Sequence, residues 1–425
     1  MLAAADQPMT SNWIPARSFT PQRGSGLIWR GLGAVAPSMA RRYLDTVIRA
    51  RVSHMRAEPG TGGHPLSILG GFSLNIGVAR AAQILRTNFE ATDVPVHPMD
   101  CSPVLRAIAG PAQPRAAAPA NGTMVFCVNP PQMVPLLSHF GPRICRGKRL
   151  VGYWWWELDR IPRAWLPWAA LMDEIWVSSR FIHDTFSRGL PGKVIRYVPL
   201  AVPEPAASPL GRADFGLPEQ IFTVLAPFDL SSRWARKNPM GAIAAFRRAF
   251  PTTTEAQLVL KVSGVEQNPA QMKQLRGLTA DMPNVRIIDR NLPYRDLAAL
   301  IRCADVLLSL HRAEGFGLFI AEAMWLGTPV IATGWSGVLD MLDHDNALLV
   351  EFDKVAVKPG DYPSVPPGAQ WADPDVGHAA DCLRRLASDA SLRDQLRAKA
   401  RARAERQFSL DRFRAITADL LPAGA

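Results

Sequence analysis

The chain has 425 residues, of which 48% are hydrophobic and 20% charged, a balance that is typical of a globular protein with two or three cores rather than one. Lysine and arginine number 48 against 37 acidic residues, so the formal net charge is +11. A basic surface attracts phosphates, anionic membranes or nucleic acid, and because no nucleic-acid-binding motif is visible, we do not expect nucleic acid as a partner.

Other features exclude further classes of protein. No stretch has 18 uninterrupted apolar residues, so the sequence predicts no transmembrane helix. The opening MLAAADQPMTSNW lacks a basic segment followed by an apolar one, and we expect no secretory signal. Five scattered cysteines without a C-x-x-C pair argue against a disulfide scaffold and a zinc site and favour a reducing, cytoplasmic setting.

Residues 1–60 form an N-terminal extension in which the segment 38–56 has helical periodicity. Its apolar side chains recur at three- and four-residue spacing, and arginines occupy the remaining surface. Such a helix can lie on an anionic membrane, which would place the protein peripherally at the inner face of the cell membrane. It can equally pack on its own domain with its arginines in water, and we favour this second interpretation.

Strands and helices alternate over residues 61–203. Strands that alternate with helices, such as the helix-like run 76–89, indicate a parallel sheet with right-handed crossovers, as in a Rossmann-like domain. The runs that predict strands are 66–69, 123–128, 149–155, 174–179 and 194–200.

Residues 204–220 are rich in proline, alanine and glycine and predict a linker. A second alternating series over 221–405 predicts another Rossmann-like domain, and we expect 406–425 to form a C-terminal helix that returns to the first domain. A long proline-rich loop is expected at 355–374. Two doubly wound α/β domains place a ligand site in the cleft between them, at the carboxyl ends of the strands. The predicted elements of this series are strands 221–227, 256–263, 284–289, 305–310, 329–333 and 347–351, and helices 238–250, 294–302, 318–326 and 391–407.

The most informative stretch is HRAEGFGLFIAEAMWLGTPVIATG, residues 311–334. It follows a predicted buried strand, and its Gly315-Phe316-Gly317 turn stands at the start of a helix that begins near Leu318. Free backbone N–H groups and the positive end of the helix dipole converge there and predict an anion site. Glycine lets the backbone approach a ligand such as a diphosphate closely.

Two glutamates flank this turn. Glu314 could accept hydrogen bonds from sugar hydroxyls, and Glu322, in the second helical turn, could accept them from another pair of hydroxyls, such as those of a ribose. The alternative is that both are ordinary acids near a helix start, where the dipole favours negative charge.

The pattern E-G-F-G-L-x-x-x-E-A-M resembles the E-x7-E signature of the retaining GT-B glycosyltransferases of the family 4 type. The resemblance spans most of residues 66–415 and includes the segments 153–186, 228–250 and 309–318, a combination similar to a branch of bacterial enzymes that build surface polysaccharides. It implies a GT-B fold, with two Rossmann-like domains that face a cleft. It also implies transfer of a hexose, with retention, from a nucleotide sugar to a glycan or lipid-linked glycan hydroxyl in polysaccharide or lipopolysaccharide assembly. No cofactor is implied besides the donor substrate.

The resemblance also implies a pair of cations that hold the donor diphosphate. Lys237 matches the family's lysine, with Arg236 beside it, and fixed cations stabilise the charge that grows on a leaving phosphate. The arginine that usually stands a little earlier is absent, because Ser231 lies near that place. Arg233 or Arg236 can take its role, so the second cation stays open.

The other donor contacts that the resemblance implies follow the strands of the second domain. The base would lie near Arg290, Asn291 and Leu292, and His311 would stand near the sugar or phosphate. The full donor-binding set comprises Ser231, Arg233, Arg236, Lys237, Arg290, Asn291, Leu292, His311, Glu314, Gly315, Phe316, Gly317, Leu318 and Glu322.

In the first domain, the segment GGFSLNIGVARAA resembles the glycine-rich loop that faces the donor phosphates and the acceptor. Gly70, Gly71 and Gly77 match that loop, and Asn75 stands where the family often has glycine. The alternative is an ordinary strand–helix turn, since many such turns carry glycines.

Many relatives have a histidine near the donor sugar, at the place where this chain has YWWWE, residues 153–157. Glu157 is our candidate for the polar group there. The tryptophans, including Trp156, could stack on sugar rings on the acceptor side, although clustered tryptophan more often forms core.

The candidate catalytic residues are therefore Glu314, Lys237 and Glu157, with Glu314 stabilising developing positive charge rather than acting as a nucleophile. No D-x-D element stands in the place where metal-dependent transferases hold a divalent ion, so we expect no metal. The rival interpretation is a catalytically silent GT-B module that binds or scaffolds, and a phosphorylase is disfavoured because no setting for a pyridoxal-phosphate lysine is found.

Overall fold

The computed structural model describes residues 37–55, 62–74, 76–106, 118–252 and 254–421. Within them lie two six-stranded parallel sheets and one antiparallel hairpin. Most strands of the large sheets are short apolar runs that are largely buried, as parallel sheets covered by helices on both faces require. This architecture confirms the α/β class and the two Rossmann-like domains.

The first sheet and its helices follow an initial helix, α1. The helices are α1 (Pro37–Met55), α2 (Gly77–Glu90), α3 (Ser102–Leu105), α4 (Pro130–Phe140), α5 (Leu166–Leu171) and α6 (Arg180–Gly189), and the strands are β1 (Leu66–Gly70), β2 (Val96–Asp100), β3 (Thr123–Phe126), β4 (Arg149–Tyr153), β5 (Glu174–Val177) and β6 (Val194–Tyr197). The strand order is β2-β1-β3-β4-β5-β6. The edge strand β2, with the sequence VHPMD, was not among the predicted strands, because its proline and polar residues break the apolar run.

The second sheet has the order β12-β11-β10-β7-β8-β9, with β7 (Phe222–Asp229), β8 (Ala256–Ser263), β9 (Val285–Ile288), β10 (Val306–Ser309), β11 (Val330–Thr333) and β12 (Leu348–Val350), and with helices α7 (Trp234–Lys237), α8 (Pro239–Ala249), α9 (Pro269–Leu278), α10 (Tyr294–Cys303) and α11 (Leu318–Trp325). The order reverses between the neighbouring strands β7 and β10. In an open α/β sheet the ligand crevice lies at such a reversal, outside the carboxyl ends of the strands.

The segment expected as a proline-rich loop contains a hairpin instead. Strands β13 (Phe352–Ala356) and β14 (Gln370–Pro374) pair antiparallel outside both large sheets, and only the connection between them is irregular. The strand sequences, FDKVA and QWADP, mix charged and apolar residues, so neither gave the continuous apolar run that predicted the other strands.

Helices α12 (Val376–Ser388), α13 (Ala390–Gln407) and α14 (Leu410–Thr417) complete the chain. The last of them packs on the first domain, where the ring centroid of Phe413 lies 5.1 Å from that of Phe89. Arg414 donates to the carbonyl oxygen of Ala91 at 2.7 Å, and Arg149 donates to that of Leu420 at 2.6 Å. The C-terminal segment thus joins the two domains a second time.

Helix α1 packs against the first domain. Ile48 and Val52 are buried, and Trp168 donates its indole N–H to Asp45 at 2.9 Å. Tyr43, at the outer face, is 59% exposed. Within the described ranges, no helix has the length and apolar character needed to span a bilayer. Residues 1–36 of the extension lie outside the described part of the chain.

Candidate active site

A cluster of two cations and one carboxylate lies where β7 and β10 end. After β7 the chain turns through Arg233, which has a φ of 74°, and the four-residue helix α7 carries Arg236 and Lys237. The buried Arg236 places its Nη1 3.2 Å from Oε2 of Glu314 and donates to the carbonyl oxygen of Ala313 at 2.9 Å. Lys237 binds the other carboxylate oxygen of Glu314. Glu314 thus joins both cations.

Backbone contacts fix Glu314 from its other side. Its N–H donates to the hydroxyl of Ser336 at 2.9 Å, and the N–H of Gly337 donates to its carbonyl oxygen at 2.9 Å. A Cβ at position 337 would lie 2.1 Å from the carbonyl oxygen of Gly315, so only glycine permits this close approach.

The partners of Glu314 set its charge. Burial disfavours the carboxylate, but Lys237, Arg236 and His311 outweigh burial and lower the pKa of Glu314 to about 2. Burial likewise disfavours the charge on Arg236, yet Glu314 and Glu157 raise its pKa above the ordinary arginine value. At neutral pH both Glu314 and Arg236 therefore carry charge.

The glycine turn forms the start of α11 and touches the first domain. Gly317 precedes the helix with a φ of 95°, and no side chain caps it. A Cβ on Gly315 would lie 3.3 Å from both Ile182 and the carbonyl oxygen of Trp156, so the two domains meet closely here. Phe316 is buried in the core and Leu318 packs against it. An uncapped helix start beside cations suits an anion.

Glu322 lies one to two turns into α11 and has a different environment. Tyr294, at the start of α10, donates its hydroxyl to Glu322 at 3.0 Å, and the guanidinium of Arg80, from α2 of the first domain, lies 4.3 Å from the centre of the Tyr294 ring. Burial raises the pKa of Glu322 to about 7, although the tyrosine hydroxyl and Arg80 oppose this.

His311 is fully buried at the end of β10. Its Nδ1 lies 3.0 Å from the Ser309 hydroxyl and its Nε2 lies 3.3 Å from the carbonyl oxygen of Trp335. Burial lowers the pKa of His311 to about 4, against the attraction of Glu314. The imidazole is therefore neutral at pH 7 and has no exposure to solvent.

Glu157 comes from the first domain, just after β4. Its Oε1 lies 3.8 Å from Nη2 of Arg236, and its Oε2 accepts the hydroxyl of Tyr362. Trp156 is 4% exposed, packs edge-on against Tyr362 and Trp165, and donates its indole N–H to the carbonyl oxygen of Arg160 at 2.6 Å. Its ring forms core beneath the cleft, as do its neighbours in the tryptophan run.

Of the two candidates for the second cation, the structure places Arg236 in the cluster. Arg233 is half-buried at the turn before α7, and burial lowers its pKa. Ser231 lies nearby, where its hydroxyl accepts from Asn268 at 3.2 Å. Arg290 and Asn291 are exposed after β9, and Leu292 is half-buried beside them.

The glycine loop of the first domain follows β1. A Cβ on Gly70 would lie 3.0 Å from Cβ of Ala82 in α2, and one on Gly71 would lie 2.8 Å from Leu74. Asp100, at the end of β2, accepts from the backbone N–H of Phe72 at 3.1 Å. Gly77 opens α2, and Asn75 lies outside the described residues.

Three residues at this site were not predicted from the sequence: Tyr362, Tyr294 and Arg80. Arg80 stands within the quoted glycine-loop segment, so its position three residues after Gly77 was a signal that could have been used. The two tyrosines carried no periodic or motif signal. In the described ranges, no group of three or more His, Cys, Asp or Glu side chains could hold a metal ion.

The comparison with known proteins gives a family match over the region that contains the cluster. Residues 232–358 match the family model described as "Glycosyl transferases group 1", and this stretch contains Arg236, Lys237, Glu314 and Glu322. The chain is 29% identical over 222 residues to D-inositol 3-phosphate glycosyltransferase of Salinispora arenicola, covering 51% of this chain and 44% of that protein. It is 29% identical over 149 residues to trehalose synthase of Thermococcus litoralis, covering 33% and 35%. The chain thus spans less than half the length of these curated relatives.

Solved structures share the whole two-domain fold. Sucrose-phosphate synthase from Thermosynechococcus elongatus superposes with a TM-score of 0.60 at 17% identity, covering 84% of this chain and 98% of that one. Anabaena HepE in complex with UDP and glucose gives a TM-score of 0.58 at 16% identity, with the same coverage. At these identities the likeness shows the GT-B fold.

Proposed function

We propose that the chain is a retaining glycosyltransferase that moves a hexose from a nucleotide sugar to a hydroxyl of a glycan or lipid-linked glycan, in polysaccharide or lipopolysaccharide assembly. One observation carries the proposal. A buried carboxylate, Glu314, is joined to two cations, Arg236 and Lys237, beside an uncapped helix start at the strand-order reversal. The group 1 match over this region and the nucleotide-bound relatives of the same fold support it.

In this proposal the cluster works on the bond between sugar and phosphate. Negative charge grows on the leaving diphosphate, and Lys237, Arg236 and the N-terminus of α11 stabilise it. These groups take the role that a divalent ion has in metal-dependent transferases. Glu314 positions the sugar and stabilises the positive charge that develops on it. The leaving phosphate oxygen takes the acceptor proton on the same face, which preserves the anomeric configuration. No cofactor takes part.

The test is release of nucleoside diphosphate from a panel of UDP-, GDP- and ADP-sugars, with and without EDTA. We expect slow hydrolysis of at least one donor, insensitive to EDTA and lowered by a factor of roughly 10²–10³ in Glu314→Gln. The matched control is Glu174→Gln, because Glu174 is also buried and ion-paired, with Arg149 and Arg196, but stands at the start of β5, away from the cleft.

Nucleoside diphosphate binding without turnover on any donor would favour the rival function, a catalytically silent GT-B module. Turnover that EDTA removes and magnesium restores would overturn the metal-independent part alone.

We further propose reversible attachment to the inner face of the cell membrane. The apolar face of α1 is occupied by its own domain, so attachment would rest on arginines such as the exposed Arg42 and Arg51 and on the net charge of +11. Each cation near an anionic surface contributes about 1 kcal/mol, and salt screens the attraction. Flotation with anionic liposomes should recover the protein at low salt and lose it at high salt. Protein that stays unbound at low salt would contradict attachment.

A further inference from the structure

The β13–β14 hairpin crosses from the second domain to the first. At its base, Arg312, which follows β10, pairs with Asp373 at 2.8 Å and accepts the N–H of Ala372 on its carbonyl oxygen at 2.9 Å. Near the far end, the N–H of Gln370 donates to Asp159 of the first domain at 2.9 Å. The hairpin therefore links the strand end that carries Glu314 to the segment that carries Glu157.

The connection between the two strands inserts Tyr362 into the domain interface. Tyr362 is 7% exposed, its ring centroid lies 5.2 Å from that of Trp156, and its hydroxyl donates to Oε2 of Glu157. The family match ends at residue 358, so this tyrosine lies outside the matched stretch.

The contact between Tyr362 and Glu157 affects how Glu157 approaches Arg236. Arg236 faces two carboxylates, but Glu314 lies 3.2 Å away whereas Glu157 lies 3.8 Å away. The tyrosine hydroxyl occupies the other oxygen of Glu157 and so restrains the rotation that would bring Glu157 fully onto the guanidinium. A carboxylate bound to Arg236 with both oxygens would take up the N–H donors that a phosphate needs.

We propose that Tyr362 is a positioning residue of the nucleotide-sugar site, which holds Glu157 off Arg236 and thereby keeps that guanidinium available to the donor diphosphate. The inference rests on the proposed function, since it assigns Arg236 to the diphosphate. It adds a residue, delivered by the hairpin, that acts through Glu157 and touches no substrate itself.

Calorimetric titration with UDP, GDP and ADP tests this directly. Tyr362→Phe keeps the ring against Trp156 and removes only the hydroxyl, so we expect it to weaken binding of the preferred diphosphate by about tenfold, the scale of coupling within a charged network. In a Glu157→Gln background the same substitution should have no effect, because a neutral amide does not compete for Arg236.

Two further variants separate positioning from loss of structure. Tyr153→Phe is the matched control, since the buried Tyr153 donates to the carbonyl oxygen of Val198 at 2.9 Å, away from the cluster. This variant should lower the melting temperature about as much as Tyr362→Phe does. It should bind the diphosphate as tightly as the parent. Asp159→Asn weakens the hydrogen bond that ties the hairpin to the first domain without changing the cluster. It should weaken diphosphate binding less than Tyr362→Phe does, and only when Glu157 is present.

Three outcomes would overturn the inference. If the parent binds a diphosphate and Tyr362→Phe binds it equally, or if the loss persists in the Glu157→Gln background, Tyr362 does not position Glu157, while the proposed function stands. If the parent binds none of the three diphosphates, the proposed function fails and the inference falls with it.

Discussion

Glu314 and Glu322 lie eight positions apart in the chain, around the start of one helix, and are 8% and 4% exposed. Burial alone would raise the pKa of both carboxyls, yet the pKa of Glu314 is lowered and that of Glu322 is raised. Two cations hold the pKa of Glu314 at about 2, whereas Glu322, whose direct partner is the Tyr294 hydroxyl, has a pKa of about 7.

The difference shows that the partners of a buried carboxylate, rather than its burial, decide its charge. Glu314 is a fixed negative charge at neutral pH, suited to stabilising positive charge in a transition state. Glu322, with a pKa of about 7, is partly protonated at neutral pH, and one of its oxygens accepts the Tyr294 hydroxyl. Substitutions of the two glutamates and of Lys237 test this contrast, and Glu314→Gln has the largest expected effect.

Glu314→Gln should give the largest loss of turnover. Removing one preorganised electrostatic group from an active site typically costs a factor of roughly 10²–10³ in turnover. Diphosphate affinity should not fall with it, because the substitution frees Arg236 and Lys237 from their carboxylate. Steady-state rates and calorimetry on the same samples measure both quantities. A parallel loss of affinity and turnover, or a loss equally large in Glu174→Gln, would contradict the assignment.

Lys237→Ala should lower turnover by more than it lowers donor affinity. Charge on the leaving phosphate is larger in the transition state than in the ground state, so its cation acts mainly there. We expect a loss of about 10²-fold in kcat/KM, carried mostly by kcat. Lys148→Ala is the control, because Lys148 is a buried lysine that donates to the carbonyl oxygen of Ile144 in the first domain, away from the cluster. An unchanged kcat with a raised KM would mean that Lys237 only binds.

Glu322→Ala should weaken binding of the nucleoside diphosphate. Loss of hydrogen bonds to a charged acceptor costs about 1.5–3 kcal/mol, whereas diphosphate affinity should not fall in Glu314→Gln. Circular dichroism and melting temperature show whether the fold survives. Unchanged affinity for the diphosphate would remove Glu322 from the ribose site.

The sequence predicted the two sheets well because their strands are short apolar runs separated by helical periodicity. Strand β2 and the β13–β14 hairpin were not predicted, because an edge strand and a two-stranded ribbon need no continuous apolar run. The bounds of α8 and α10 fall within a residue or so of those expected, because a proline stands at or just before the start of each.

The candidate site divides in the same way. Glu314 and Glu322 stand in a local motif, so their spacing along the chain places both at the start of one helix, whereas Lys237, 77 residues from Glu314, was implied by the resemblance. The choice between Arg233 and Arg236 depended on the turn at Arg233, whose positive φ is not readable from sequence. The contacts of Glu157 with Tyr362, and of Tyr294 with Arg80, join segments far apart in the chain, and only the folded packing brings them together.

The smallest expected effect is a pair of opposite pH dependences of stability. The pKa of Glu314 is lowered from its ordinary value of 4.5 to about 2, so its contribution to stability is present above pH 4.5 and is lost as the pH falls toward 2. The pKa of Glu322 is raised to about 7, so the folded state retains a proton that the unfolded state releases. Stability from this group is therefore present below pH 4.5 and is lost as the pH rises to 7.

Denaturant unfolding of the parent and of Glu322→Gln at pH 5 and pH 8 measures how the Glu322 contribution to the free energy of unfolding changes with pH. The amide cannot titrate, so the parent should lose on the order of 2 kcal/mol relative to the variant between the two pH values. Between pH 5 and pH 3 the parent should lose stability relative to Glu314→Gln but not relative to Glu322→Gln, because the folded Glu322 already carries its proton. If the parent and Glu322→Gln run parallel from pH 5 to pH 8, Glu322 is ionised throughout, and the contrast between the two glutamates rests on their partners' geometry alone.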